Sequence, residues 1–264
     1  MAKYTFRKLL PSRDFFSPHN DHLDYAFIDR CTPIVELASK YFRPTYHGLD
    51  NIPRDGAALL VGNHGIIGFD ALFIFVAIYR ATGRMPRGLG DYHLFVEPVS
   101  RRFWSRVGIV LGDPEVALSY LQSGHLVNVY PGGARDALKG ADARYRLHWD
   151  ESLGFVRLAM RADVPVVLHM GVGTDDTYRI WGRMGWTGRV LGHAKYGLPL
   201  YAGWGPLPRP VKFDYYLSEP IALEGGPDEA QNDAIVRRNH RTLWDRGHAM
   251  LRSGLARRRS IWTG

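Results

Sequence analysis

The sequence predicts an α/β fold, a mostly parallel sheet of six to seven strands covered by helices on both faces. Three observations carry this expectation. Apolar runs of strand length alternate along the chain with segments of helical periodicity, the pattern of βαβ units. Two of the runs, Ala57 to Val61 and Val164 to Met170, are almost continuously apolar, as strands covered on both faces must be. The 264 residues, 45% of them hydrophobic, suit one large α/β domain better than two small ones.

Residues 1 to 19 are polar and irregular, with Pro11 and Pro18. Residues 21 to 42 have the spacing of an amphipathic helix, with Leu23, Phe27, Ile28, Ile34, Leu37 and Tyr41 among its apolar positions, and Pro33 is expected to interrupt it. Tyr46 to Leu49 and Ala57 to Val61 read as two strands across the turn-forming stretch Asn51 to Gly56. A helix from Asp70 to about Thr82 follows, then a strand at Arg87 to Tyr92, a short helix at Pro98 to Val107 and a strand at Gly108 to Leu111. Pro114, suited to a first helical turn, opens a helix reaching Leu121, and Gly124 ends it. Leu126 to Tyr130 is the next strand, Glu151 to Arg161 a helix, and Val164 to Met170 a buried strand. Residues 174 to 210 mix Gly, Trp, Tyr, Pro and Arg without a clear period and are expected to be irregular, partly helical and surface-lying. Lys212 to Leu217 forms a last strand. Pro227 to Leu251 forms an amphipathic helix with Ile235, Leu243 and Met250 inward, followed by the basic tail Arg257-Arg258-Arg259. The organisation expected is an N-terminal segment and helix (1–43), a core (44–225) and a C-terminal helix with its tail (226–264), all in a single domain.

Composition narrows the chemistry. The formal net charge of +8 favours an anionic partner: a phospholipid surface, a nucleotide-bearing cofactor or a nucleic acid. No recognition-helix or RNA-binding motif supports the last of these. Cys31, the single cysteine, excludes an internal disulfide and a cysteine-based zinc site. The start has no apolar core of signal-peptide type, and no uncharged apolar run approaches the roughly 18 residues of a spanning helix. A protein of this kind acting on lipid is expected to lie on a membrane, at its cytoplasmic face.

Two short constellations bear chemistry. The first is Gly62-Asn63-His64-Gly65-Ile66-Ile67-Gly68-Phe69-Asp70, which puts a histidine at the C-terminal end of a strand and a carboxylate at the next helix start. Strand C-termini are where sites form in such sheets. Imidazole suits proton transfer near neutral pH, and a carboxylate on its far nitrogen fixes the tautomer. Asp70 equally suits a helix N-cap, so the stretch alone reads as either a base or a structural turn. No nearby serine or cysteine forms a nucleophile elbow. The second constellation is Tyr130-Pro131-Gly132-Gly133-Ala134-Arg135-Asp136, where a strand runs into glycines whose N–H groups can face an anion and Arg135 adds a cation for a phosphate. An ordinary turn with a solvated arginine fits it too. The remaining histidines, His148 among them, show no ligand spacing and are expected at the surface or in the core.

Together these segments resemble the PlsC-type glycerolipid acyltransferases, the lysophospholipid acyltransferase superfamily. Asn63 to Asp70 resembles the first motif, Tyr130 to Leu138 the third, and Val164-Pro165-Val166-Val167 the fourth. The resemblance runs from about Tyr46 to Met170. Phosphate-acceptor members usually have one residue fewer between His and Asp, and Glu where this chain has Gly132. The longer spacer, the Pro-Gly-Gly-Ala-Arg-acidic-Ala-Leu run, Leu147-x-Trp149 and Gly154 to Ala159 look more like the monoacylglycerol/diacylglycerol acyltransferase branch. The second-motif arginine is absent after Gly108 to Gly112, and Arg101, Arg102 and Arg106 just upstream are the candidates to replace it.

The resemblance implies that His64, oriented by Asp70, deprotonates a hydroxyl of a lysophospholipid or a mono- or diacylglycerol, whose oxygen attacks the thioester of acyl-CoA or acyl carrier protein. It implies substrate-binding roles for Asn63, Gly65, Tyr130, Pro131, Gly132, Gly133 and Arg135, with no cofactor and no metal. A site for acyl chains must open towards a bilayer. Candidate contacts are the 21–42 helix and the stretch with Trp181, Trp186, Tyr196, Tyr201 and Trp204, together with Arg179, Arg183, Arg189, Lys195 and Arg209. A cap packed on its own aromatics fits that stretch as well.

Overall fold

The computed structural model describes residues 10–150, 152–184, 187, 198–205 and 207–264. Its main sheet has seven strands: β1 (Thr45–His47), β2 (Ala58–Gly62), β3 (Arg87–Gly90), β4 (Ile109–Leu111), β5 (Leu126–Val129), β6 (Val166–Val172) and β9 (Asp214–Leu217). Their order is β1-β9-β6-β2-β5-β3-β4. The five strands from β6 to β4 run parallel, and β9 pairs antiparallel with β6, so β1 and β9 run against the rest. The expected strands at 46–49 and 57–61 are therefore not partners. β2 takes the centre, where all five of its residues are buried, whereas β1 is an edge.

Alternation along β2 divides the core. Leu59 and Val61 face a layer built from α4 (Pro114–Gln122), α6 (Gly154–Ala162) and α7 (Asp233–Arg257). Ala58 and Leu60 face the other layer, α1 (Tyr25–Phe42) and α2 (Ala71–Thr82), through Ile28, Phe42, Phe73, Ile74 and Ile78. The remaining helices are α3 (Pro98–Arg106) and the single turn α5 (Ala134–Ala137). Pro33 does not interrupt α1. It lies on the exposed side, where the carbonyl it leaves without an amide can reach water. The apolar positions of α1 split: Ile28 packs inward, whereas Ile34 and Leu37 are 70% and 67% exposed.

Two expectations fail beyond β6. Residues 174–178 are buried, and β7 (Arg179–Met184) and β8 (Leu198–Ala202) form a two-stranded antiparallel ribbon with a slip between Ile180 and Gly182. The ribbon carries exposed Trp181, Leu200 and Tyr201, so no single buried face imprints a period of two. The run Arg257 to Arg259 is not a free basic tail, since Arg257 ends α7 and Arg258 turns inward to pair with Asp176. Trp186, Arg189, Lys195 and Tyr196 lie outside the described residues, as does the side chain of Arg183.

Candidate active site

The parallel strands put His64 just past the end of β2 and Tyr130 just past the neighbouring β5. A single 3₁₀ turn, Ile66–Gly68, returns the chain to the start of α2. Asp70 stands in the N-cap position of α2, but its side chain caps nothing. It turns back to His64, with Oδ1 3.2 Å from Nδ1. That is close enough to pair as ions, short of the alignment of a hydrogen bond. Catalytic contacts are often loose before substrate arrives. Of the two alternatives the sequence leaves for Asp70, the capping one is thereby removed. Burial alone would raise the Asp70 carboxyl; the His64 ring, the Gly65 N–H and Lys139 outweigh it and hold the group below its ordinary value. A carboxylate that stays ionised is what an imidazolium beside it requires.

The imidazole is fixed from several sides. The Tyr130 ring stacks on it at 4.0 Å, only 2° from parallel. Gly68, with φ +80°, passes so close that a Cβ there would lie 2.6 Å from Nε2. A Cβ on Gly65 would meet Thr174 at 2.7 Å and the Asp70 carboxylate at 3.0 Å. Below Gly62 lies buried His169, bonded through Nε2 to the Asn128 amide oxygen at 2.7 Å and pushed down by burial to about 4. It is a neutral core histidine at pH 7, as expected of the histidines outside the motifs. The Tyr215 hydroxyl donates to the Asp70 carbonyl at 3.0 Å and anchors the start of α2.

The Asn63 amide is buried and bonded to one partner residue, donating to Gly171 O at 3.0 Å and accepting from Gly171 N at 2.8 Å, which ties the His64 turn to β6. In the Pro131-Gly132-Gly133 turn the N–H groups of Gly133, Arg135 and Asp136 donate within the turn, to Tyr130 O, Gly132 O and Gly133 O, whereas that of Gly132 takes no backbone partner among the described residues. Pro131 accepts from the Ser152 hydroxyl at 2.9 Å, and Arg135 is exposed, with Nη2 3.1 Å from the His148 carbonyl.

The family model described as Acyltransferase matches residues 43–169, a span holding both His64 and Arg135. The stretch from 43 to 169 is thus similar to the acyltransferase family. Among curated relatives, "DGAT1/2-independent enzyme synthesizing storage lipids" of Bos taurus is 31% identical over 179 residues, covering 67% of this chain and 52% of that protein. The human protein of the same description is also 31% identical, over 67% and 53%. An uncharacterized protein of Mycobacterium tuberculosis is 33% identical over 210 residues, covering 76% and 58%. The chain thus spans about half the length of the curated relatives it matches. A solved structure, the 1-acyl-sn-glycerophosphate (LPA) acyltransferase PlsC of Thermotoga maritima, aligns with a TM-score of 0.46 at 17% identity, over 79% of this chain and 72% of that one.

Within this stretch, the candidates for the second-motif arginine divide. Arg106 directly precedes β4, so it sits at the end of the sheet away from His64, paired with Asp24 at 2.8 Å. Arg101 rests on the Phe15 ring at 5.4 Å, and with Arg102 it lines a surface groove beside His22. The cation beside Asp113, just past the end of β4, is Arg13 of the N-terminal segment, at 2.8 Å. Sequence reasoning also missed buried Lys139, whose Nζ lies 2.8 Å from Asp175 and whose charge acts on Asp70. A lysine among small residues at 137–140 gives no local sign that it is buried, because its partner is distant in the chain.

Proposed function

We propose that this chain transfers a fatty acyl group from a thioester donor, acyl-CoA or acyl carrier protein, to a hydroxyl of a glycerolipid, with His64 as general base. The observation that carries the reading is the buried Asp70 carboxylate turned away from its helix and towards His64 Nδ1 at 3.2 Å. With Nδ1 facing the carboxylate, Nε2 takes the proton of the acceptor hydroxyl as its oxygen bonds to the thioester carbonyl carbon. The tetrahedral intermediate then expels the thiolate, which takes that proton back, leaving an ester and a free thiol. Such a base contributes typically 10²–10⁴-fold, or about 3–5 kcal/mol. Arg135 holds a phosphate of the acceptor or the donor, and Gly65, Tyr130 and the Pro131 to Gly133 turn shape the site around the imidazole. The domain match and the curated relatives' description support a lipid-synthesising role.

The same reading puts the protein peripherally on a membrane. Among the described residues no helix is long and apolar enough to cross one. Exposed Trp181, Trp204 and Trp262, beside Lys40, Arg43 and Arg179, suit an interface of anionic headgroups. Mass-spectrometric product identification with a panel of lysophospholipids, mono- and diacylglycerols tests the transfer. Transfer by wild type and none by His64→Ala is expected; equal rates refute the base. Sedimentation with anionic vesicles at low salt tests the surface, and its absence refutes that part.

A further inference from the structure

The glycine turn hides a second imidazole–carboxylate pair. A Cβ built on Gly132 would lie 2.1 Å from Asp136 Cγ and 2.2 and 2.4 Å from its two oxygens, so the carboxylate fills the space beneath the turn. Asp136 is fully buried. Its Oδ1 is 2.7 Å from His148 Nδ1, and the other oxygen has no partner among the described residues. The buried carboxylate on Nδ1 holds the hydrogen on that nitrogen and fixes the orientation of the ring. The His148 side chain is still 25% exposed, which leaves Nε2 for a ligand. Arg135 donates to the backbone carbonyl of this same residue, which holds its guanidinium at His148 on the exposed rim of the turn.

We propose that His148, positioned by Asp136, and Arg135 form a site for a phosphate monoester. The planar guanidinium supplies a fork of N–H donors, and Nε2 of His148 shares a proton with the bound phosphate, which together suit a group with three free oxygens. The proposal deepens the acyl-transfer reading and rests on it for the substrate. The phosphate belongs either to a phosphorylated acceptor lipid or to the 3′-phosphate of a CoA donor. A carboxylate at the turn without His148 would repel such a ligand; His148 on its Oδ1 screens it.

Two measurements on the full chain test this. In the first, inorganic phosphate is titrated while the histidine ring nitrogens are followed by NMR, with the His148 signals assigned by their loss in His148→Gln. The expected result is a saturable shift of His148 whose apparent Kd rises about tenfold or more in Arg135→Ala, as loss of a charge-assisted hydrogen bond implies. Phosphate that moves other histidines and leaves His148 still overturns the proposal. This arm does not depend on acyl transfer, so it stands if that reading fails. In the second, kcat/KM is compared for lysophosphatidic acid against monoacylglycerol, and for acyl-CoA against acyl-dephospho-CoA, in wild type and His148→Gln, which keeps an N–H for Asp136. A roughly tenfold loss of preference for the phosphate-bearing member of one pair supports the proposal and identifies the source. Unchanged preferences in both pairs, with Tm retained, overturn it.

Discussion

Substituting Gly68 by alanine separates the backbone role of this turn from its chemical one. The residue has φ +80°, where an L side chain costs roughly 1–2 kcal/mol. The added Cβ lies 2.6 Å from His64 Nε2 and 2.7 Å from Cε1, whereas ordinary contact begins at 3.4 Å, so the ring must retreat by about 0.8 Å (3.4 less 2.6). The Tyr130 ring at 4.0 Å limits that retreat on its own face, and any tilt disturbs the 3.2 Å approach to Asp70. A misplacement near 1 Å can cost about 10²-fold in rate. Gly83→Ala supplies the control. Gly83 also has a positive φ, +71°, but its Cβ meets nothing within 4 Å and it caps the far end of α2. Both variants should lose about 1–2 kcal/mol, a Tm drop of roughly 2–8 °C for a chain of this size. In a thiol-release assay at saturating substrates, only Gly68→Ala should lose kcat, by about 30–100-fold. If the two variants retain the same kcat, the placement of His64 Nε2 beside Gly68 has no bearing on the reaction and the assignment of the base fails.

Asp70→Asn keeps the shape of the dyad but removes the charge that favours an imidazolium. Its kcat should fall by about 10²–10⁴-fold while circular dichroism stays unchanged, and a loss under threefold refutes the pairing. Asn63→Ala leaves the buried N–H of Gly171 without its partner and its C=O with only the Thr174 hydroxyl at 3.4 Å. The expected cost is about 1–3 kcal/mol in urea unfolding, with KM for both substrates unchanged; a large KM effect at full stability would assign Asn63 to the substrate. His169 bears on pH. Its folded value of about 4 lies below the ordinary 6.5, so between these the unfolded chain binds the extra proton and stability falls as pH drops through that window. The full interval corresponds to about 3 kcal/mol. His169→Gln, which keeps an N–H for Asn128, should flatten the acid limb by about 2 kcal/mol of that interval between urea titrations at pH 7 and pH 4.5, and an unchanged slope refutes it.

What the sequence made legible follows from where the constraint is local. β2 and β6 are buried on both faces, so their composition alone announces them, and the strand-to-turn positions of His64 and Tyr130 follow from it. Among its described side chains the β7–β8 ribbon has no buried face, and its spacing carries no message. Arg258 looks like part of a solvated basic tail because nothing near it in sequence names Asp176, which lies 82 positions away. His148 and Asp136 sit 12 positions apart with no helical or strand register to connect them. Only the fold of the 131–148 segment brings them together, so a reading by ligand spacing passed over His148. Lys139 and Asp175, 36 residues apart (175 less 139), were hidden for the same reason.

The extra residue between His64 and Asp70 shows how far a motif departure reaches. It loosens the inference about the acceptor, because phosphate-acceptor relatives use a shorter spacer. In three dimensions the 3₁₀ turn Ile66–Gly68, closed by Gly68 N to Gly65 O at 3.1 Å and by the positive φ of Gly68, takes up the longer path. Asp70 still meets Nδ1, and it does so by giving up the cap its position offers. The longer spacer thus leaves the His64–Asp70 pairing in place. On the proposed reading, recognition of the acceptor falls to the other turn. Gly132 there makes room for the Asp136 carboxylate, which in turn holds His148 beside Arg135. Refilling that space, as Gly132→Glu would, drives a side chain into Asp136 at 2.1 Å and should displace His148, so acceptor preference should respond to this substitution more than to shortening the His64–Asp70 spacer.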